Sequence, residues 1–206
     1  MIKINFNFKL CFFIKIVICS LLINIQSIAD ESKVLKNTVI GNNNALIKIK
    51  VFSSLTCPHC ASFHNQVIPK IKEQFVDSGK VQLIFLDFPL DQAAFNAAKL
   101  IHCVEYEKKN VLLDKIYEKQ NKWTQGSDIN EINKNLKKIV KSFGINSESF
   151  EKCLVDEAVS DKILNNRIDA HKKYSIESTP TIIINNKKLK GSASFENIKK
   201  TIEKLI

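Results

Sequence analysis

Two cysteines separated by two residues lie in the segment 55–64, LTCPHCASFH. Sulfur atoms at this spacing can form a disulfide without any movement of the backbone, and a thiolate at either position can attack another disulfide. The same pair could also supply two of the four ligands of a structural zinc site. Cys57 and Cys60 are therefore candidates for a redox-active dithiol, a structural disulfide or part of a metal site.

The metal hypothesis is the weakest of the three. A structural zinc site commonly takes its four ligands from two paired clusters. Cys103 and Cys153 stand alone in the sequence, and there is no second C-x-x-C and no H-x-x-H. We therefore expect no bound metal, and thiol–disulfide exchange requires no other cofactor.

The predicted position of Cys57 favours the redox hypothesis. Alternating apolar residues predict a strand over 45–52, and helical spacing predicts a helix over 57–75, with a kink expected at Pro69. A sulfur at the start of a helix lies near free backbone N–H groups, whose dipole stabilises a thiolate by ~1–2 kcal/mol. We expect His59, as a cation, to add to this stabilisation, and Cys60, one turn deeper, to be the buried resolving partner.

The other three histidines are given no chemical role. His64 follows Cys60 by one turn, and we expect it to be a partly exposed helix residue. His102 and His171 are expected to be solvated.

The remaining elements complete an α/β pattern. Residues 81–88 predict a second strand, so the first strand, the helix and this strand form a βαβ unit. Residues 92–174 show apolar helical stripes and no convincing strand. A strand at 181–184, a hairpin turn at Asn185 and Asn186, and a final helix at 195–205 form a ββα half. The predicted organisation is therefore a βαβ half and a ββα half separated by a helical insertion.

The first 29 residues predict a signal peptide. A basic start is followed by an apolar run over 10–25, and Ser27 and Ala29 place small residues before Asp30. The alternative is an uncleaved anchor, but Lys15 interrupts the run short of the ~20 residues that a spanning helix needs. We favour export with cleavage after Ala29. Four cysteines would then remain, an even number in an oxidising compartment, and three pairings would be open to them.

Length, composition and charge argue for an ordinary globular domain and against a nucleic-acid-binding protein. The chain has 206 residues, which fits one domain or one domain with an insertion. Its formal net charge is +10, but the charge is scattered, and Arg167 is the only arginine. With no nucleic-acid-binding motif, we expect no nucleic-acid partner.

Two motifs resemble a known family. Cys57-Pro58-His59-Cys60 is similar to the active-site tetrapeptide of the DsbA family of thioredoxin-fold thiol oxidases. Ser178-Thr179-Pro180-Thr181 resembles the cis-proline loop of that family, and Gly191 follows as the family's late glycine does. The resemblance covers nearly all of the predicted mature chain.

The resemblance implies a fold and a division into domains. The expected fold is a thioredoxin fold with a helical domain inserted between its two halves. The thioredoxin-like domain would comprise 30–91 and 175–206, and the inserted helical domain 92–174.

The resemblance also implies a function. The protein would be a periplasmic oxidase that gives its Cys57–Cys60 disulfide to exported, folding proteins, with Pro58 and His59 in the catalytic motif. Thr179 and Pro180 would bind the substrate beside the sulfurs. A membrane partner of the quinone-linked DsbB type would reoxidise the pair, and the protein would act as a monomer.

Two further features of the sequence bear on this interpretation. Some members of the family have a second cysteine pair in the insertion, so we favour a Cys103–Cys153 disulfide over two buried free thiols. Six residues before Cys57, many members have a buried acid that assists proton transfer at the second cysteine. This sequence has Val51 there, which puts a carboxylate-assisted step in doubt.

Three other functions are alternatives to the oxidase. A DsbC-type isomerase needs an N-terminal dimerisation domain, and 30–56 leaves no room for one. A reductase of the same fold stays an alternative, because the redox potential depends on the geometry around the sulfurs. A non-catalytic, chaperone-like binding module would retain the fold without the exchange chemistry.

Overall fold

A five-stranded sheet ends beside the cysteine pair and positions it. The computed structural model describes residues 35–206, which form one compact unit. The predicted signal peptide, residues 1–29, lies outside the described residues. The strands are β1 (Thr38–Ile40), β2 (Ile47–Ser53), β3 (Val81–Asp87), β4 (Thr181–Ile184) and β5 (Lys187–Lys188), in the spatial order β1-β3-β2-β4-β5.

The central strand β2 forms because its apolar residues alternate. Ile47, Ile49 and Val51 are all buried, as their period of two predicts. β2 pairs in parallel with β3 and antiparallel with β4, so it has a neighbour on each side. β1 pairs antiparallel with β3 at the edge of the sheet. The sequence does not predict β1, because three residues are too few to show alternation.

The helix after Cys57 is interrupted earlier than expected. It divides into α1 (Pro58–Gln66) and α2 (Ile68–Ile71), and a π-helical turn follows at Lys72–Val76. Pro69 has no N–H to donate, and its ring would clash with the carbonyl four residues earlier in a regular helix. The interruption therefore follows from proline geometry, and α1 is left as a short helix that begins directly after Cys57 and carries Cys60 in its first turn.

Residues 92–174 are helical, as predicted. The helices are α3 (Gln92–Cys103), α4 (Lys109–Glu118), α5 (Gln120–Trp123), α6 (Ile129–Val140), α7 (Ser147–Leu154) and α8 (Glu157–Tyr174), with α9 (Phe195–Glu203) after the hairpin. They share one hydrophobic core with the sheet, in which Leu100, Leu112 and Leu136 are fully buried. The domain boundaries at 91 and 175 therefore cross a continuous core, and they remain a prediction.

One disulfide joins two of these helices. Cys103 at the end of α3 is bonded to Cys153 in α7, with 6.1 Å between their Cα atoms.

Within residues 35–206, no helix combines the length and the hydropathy that a membrane span requires.

Candidate active site

Cys57 is the residue that precedes the first turn of α1. Its backbone is extended, and Pro58 occupies the first helical position, where the missing N–H costs nothing. Its sulfur lies 3.5 Å from the carbonyl oxygen of Thr179, the residue before Pro180. Cys57 and Cys60 are both free thiols in this structure, so the site is described in its reduced state.

The pKa of the Cys57 thiol is lowered. Burial opposes its ionisation, but hydrogen bonds to the sulfur outweigh burial and bring the pKa below its ordinary value of 9.0. They come from the Thr179 side chain, from the backbone N–H and the thiol of Cys60, and from the backbone N–H of His59. The start of α1 thus stabilises the anion directly, as free N–H groups at a helix terminus can.

Cys60 has the opposite character. Burial raises the pKa of its thiol to about 12, although hydrogen bonds from the Thr179 side chain and the backbone of Ser54 partly oppose that effect. Cys57 keeps 9% of its surface exposed and Cys60 keeps 1%. One sulfur is therefore reachable and readily ionised, while the other is buried and protonated.

The side chains between the two cysteines point to solvent. Pro58 and His59 are both exposed. His59 contributes to the Cys57 thiolate through its backbone N–H. The cationic role of its imidazole remains a prediction.

The loop before β4 faces the sulfurs. The Thr179–Pro180 peptide bond is cis. The Thr179 hydroxyl is buried, and it lies close enough to both sulfurs to lower the pKa of each thiol.

Polar side chains hold the loop between β2 and α1. The Thr56 hydroxyl donates to the carboxylate of Asp91 over 2.7 Å, and the same carboxylate caps α3 by accepting from the N–H of Ala94. The Ser54 hydroxyl accepts from the N–H of Leu90. The cysteine loop and the start of the helical region are thus fixed to each other.

Gln120 supports the same loop, and no local pattern in the sequence marks it. Its side-chain amide is buried and donates to the carbonyl oxygens of Leu55 and Cys57, at 2.7 and 3.0 Å. A lone glutamine in a helical region is compatible with an exposed position as well, so only the tertiary structure identifies this contact.

We expect Gln120→Met to lower the free energy of unfolding by about 1–3 kcal/mol. The side chain keeps a similar length, but two hydrogen bonds to buried backbone are lost. Urea denaturation of both proteins measures the difference. Gln125→Met is a matched control because Gln125 is exposed; equal stability of the two variants would show that the Gln120 contacts contribute nothing.

Two histidines differ from our expectations. His64 is buried, its Nε2 lies 2.7 Å from a carboxylate oxygen of Asp114, and its ring stacks on Tyr117. His102, expected to be solvated, is buried and lies 2.7 Å from the carboxylate of Asp87. An aspartate partner in each case offsets the cost of burying a polar ring. His171 is exposed, as expected.

Comparison with known proteins identifies the family. Residues 33–204 match the family model described as Thioredoxin. The crystal structure of alpha-DsbA1 from Wolbachia pipientis superposes with a TM-score of 0.74 at 30% identity, over 82% of this chain and 90% of that one. The chain belongs to the DsbA family. The predicted resemblance and the thioredoxin fold with its helical insertion are confirmed.

Curated relatives of this DsbA-family protein agree with that assignment. Disulfide bond formation protein D from Bacillus subtilis is 26% identical over 187 residues, which cover 87% of this chain and 81% of the relative. A relative from Rickettsia bellii is 27% identical over 169 residues, and this chain spans only 64% of its length. The predicted enzyme class, protein-disulfide oxidoreductase, is thus confirmed at the level of the family.

Proposed function

We propose that the protein is a thiol:disulfide oxidoreductase that donates its Cys57–Cys60 disulfide to other proteins. The observation that carries this proposal is the difference between the two thiols. Cys57 has a lowered pKa and some exposure, whereas Cys60 is buried with a pKa raised to about 12. An exchange catalyst needs one sulfur that forms the mixed disulfide and a second that resolves it.

The reaction proceeds in two exchanges. A substrate thiolate attacks the sulfur of Cys57, the Cys57–Cys60 bond breaks, and Cys60 leaves with the electron pair and takes up a proton. A second substrate thiolate then attacks the substrate sulfur of the mixed disulfide and releases Cys57 as a thiolate. Two electrons pass from the substrate to the pair, and the substrate gains a disulfide.

The stabilised thiolate sets the direction in which electrons pass between the cysteine pair and its substrate. Each pH unit by which the Cys57 pKa lies below the ambient pH stabilises the reduced form by about 1.4 kcal/mol, or about 30 mV for two electrons. A reduced form that is favoured in this way makes the disulfide form an oxidant. The Thr179 carbonyl beside the Cys57 sulfur supports a substrate-binding role for Thr179 and Pro180, in which an extended segment pairs with this loop.

The physiological setting follows from the same chemistry. Substrates would be exported proteins that carry reduced cysteines, and the periplasm is the compartment in which such disulfides persist. Continued turnover requires an oxidant for the reduced pair, and a quinone-linked membrane protein of the DsbB type would supply it. We propose that the protein acts there as a monomer.

The redox equilibrium with glutathione tests the direction of the reaction. The pair is equilibrated over a range of reduced and oxidised glutathione, and the fraction of Cys57–Cys60 disulfide is quantified by mass after alkylation. Two well-characterised thioredoxin-fold proteins bracket the outcome, since DsbA has a potential of about −120 mV and thioredoxin one of about −270 mV. We expect a value nearer that of DsbA; one below about −250 mV would assign a reductase.

A further inference from the structure

A groove with apolar walls lies between α8 and two loops of the sheet. α8 supplies Leu164 and Ile168, the loop after β3 supplies Leu90, and the loop before β4 supplies Ile176 and Glu177. The volume of this α8 groove is about 490 Å³. That is within the usual range of binding pockets, so the groove can hold several side chains of another molecule.

Three large apolar side chains of the α8 groove are exposed. Leu90 is 49% exposed, Leu164 43% and Ile168 47%. Leu164 and Ile168 lie one turn apart on the side of α8 away from its core-facing residues, such as Ile163 and Ala170. Single exposed apolar residues are common, but three that line one groove are typical of a surface that binds another molecule.

Core packing fixes the floor of the α8 groove. Phe88 and Ile176 are buried in a hydrophobic cluster that also contains Phe52 and Ile183. His171 Nδ1 lies 3.3 Å from the carbonyl oxygen of Ile176, which connects the last turns of α8 to the loop before β4. The groove is therefore already formed in this structure, and a ligand does not have to open it.

The α8 groove is continuous with the active site on two sides. The loop that lines it at Ile176 reaches Thr179 three residues later, and the Thr179 carbonyl oxygen lies 3.5 Å from the sulfur of Cys57. The N–H of Leu90 donates to the hydroxyl of Ser54, in the turn before Cys57. Because three extended residues span at most about 10 Å, the groove begins within that distance of Thr179.

The exchange reaction itself brings a chain to this place. A substrate that forms a mixed disulfide is bonded to Cys57, so the residues beside its cysteine are held at the edge of the site. Such a tether gives the neighbouring segment an effective concentration on the order of millimolar. Modest apolar contacts are then enough to bind that segment, whereas an untethered partner protein would need a much larger interface.

The charges of the α8 groove add a second preference. Arg167 and Lys172 line it from the helix, and within residues 35–206 neither forms an ion pair. The Arg167 guanidinium lies 5.4 Å from the centroid of the Phe88 ring in the floor. Glu177 is the acidic residue of the lining and lies on the loop. Two cations against one carboxylate leave the groove positive, which favours an acidic side chain on the bound segment.

We propose that the α8 groove binds the substrate segment about two to four residues from the reacting cysteine, and that it selects large apolar side chains accompanied by an acid. The inference rests on the proposed exchange function and specifies which cysteines that function favours. The three exposed apolar residues contact the apolar side chains, while Arg167 and Lys172 attract the carboxylate. The groove acts by holding the substrate sulfur beside Cys57.

Two reduced peptides, each with two cysteines, test this specificity. One peptide has Leu, Phe and Glu at the selected positions on both sides of its first cysteine, and the other has Ser, Ser and Gln there. The oxidised full chain is mixed with each peptide, and peptide oxidation is followed by mass after acid quenching. We expect the wild-type protein to oxidise the apolar peptide about tenfold faster, because apolar burial holds it at the site before the sulfurs react.

Leu164→Ser combined with Ile168→Ser should reduce this preference to about twofold, since two of the three exposed apolar contacts are lost. The rate of reaction with reduced glutathione should stay at the wild-type value, because glutathione has no segment that reaches the groove. Val111→Ser combined with Val155→Ser is the matched control. These valines are exposed outside the groove, so this variant should keep the wild-type preference.

Arg167→Glu tests the charge preference. It should lower the rate for the apolar peptide about threefold relative to the same peptide with Lys in place of Glu, the effect of losing an exposed ion pair. Lys134→Glu changes the net charge equally at an exposed position outside the groove, and it should leave the ratio of the two rates unchanged. An unchanged ratio in Arg167→Glu would contradict the acidic part of the proposed specificity.

The possible failures are distinguishable. An equal preference for the apolar peptide in the wild type and in Leu164→Ser/Ile168→Ser, or no preference in the wild type, would overturn the binding role of the groove while leaving the proposed function intact. A wild-type dimer in sedimentation that this double variant converts to a monomer would also overturn it, because the occupant would then be a second copy of the chain. Failure of the oxidised wild-type protein to react with either peptide or with glutathione would overturn the proposed function itself.

Discussion

A Cys57→Ser variant will exchange no disulfide with a peptide that carries two cysteines, because the hydroxyl cannot form the mixed disulfide. Cys60→Ser will behave differently when it is mixed with the oxidised peptide. Its Cys57 thiolate still attacks the peptide disulfide, but the sulfur that resolves the mixed disulfide is missing. We expect that variant to accumulate a covalent adduct on Cys57, which non-reducing mass spectrometry of the quenched reaction separates from free protein.

The control for this pair of variants is Cys103→Ala combined with Cys153→Ala. That double variant removes two sulfurs but leaves the first turn of α1 untouched, so its oxidised form should transfer a disulfide to the reduced peptide as the wild type does. Disulfide transfer by Cys57→Ser, or an adduct on any other cysteine of Cys60→Ser, would show that the site has been assigned wrongly.

Loss of the Cys103–Cys153 disulfide should lower the free energy of unfolding by about 4 kcal/mol. The bond closes a loop with a sequence separation of 50 residues, and the chain-entropy model gives this value for a loop of that length. It also joins α3 to α7, and Cys153 is buried in the main core. Urea denaturation measures the change through the midpoint and slope.

The urea measurement needs a protein whose active-site cysteines cannot form or exchange a disulfide. Cys57→Ala with Cys60→Ala supplies it, and Cys103→Ala with Cys153→Ala is then compared within that background. Reduction of the background protein by excess dithiol should reproduce the loss without any further substitution. A difference below about 1 kcal/mol in both comparisons would contradict a stabilising role for this disulfide.

The strands show what the sequence can predict of this fold. β2, β3 and β4 are predictable to within two residues because alternating or continuous apolar residues mark a buried strand. The hairpin turn is predictable from Asn185 and Asn186, and both adopt the left-handed conformation that such a turn requires. β1 escapes prediction because an edge strand of three residues has no period to detect.

The cysteine motif and the cis-proline loop can both be located from local sequence, since each is a contiguous segment. The residues that support them cannot. Gln120 and Asp91 come from different parts of the chain, and only the packing of the helices on the sheet brings them to the site.

His102 illustrates the physical reason for this limit. A histidine in a helical stripe is ordinarily polar surface, and the sequence carries no sign that Asp87, fifteen residues earlier, will bind it. Its burial depends on a pairing between two elements, and such pairings are not encoded in a local pattern.

The central claim is that Cys57 ionises more readily than an ordinary thiol. Its stabilisation of the reduced form is complete above the ordinary thiol pKa of 9.0 and is lost as the pH falls through the lowered Cys57 pKa. The ultraviolet absorbance of the thiolate, titrated in the reduced protein with Cys103–Cys153 intact, measures that pKa directly. Thr179→Val should raise it, and Thr179→Ser, which keeps the hydroxyl, should not. We predict half-ionisation below the ordinary value of 9.0 in the wild-type protein; half-ionisation at or above that value would contradict the account.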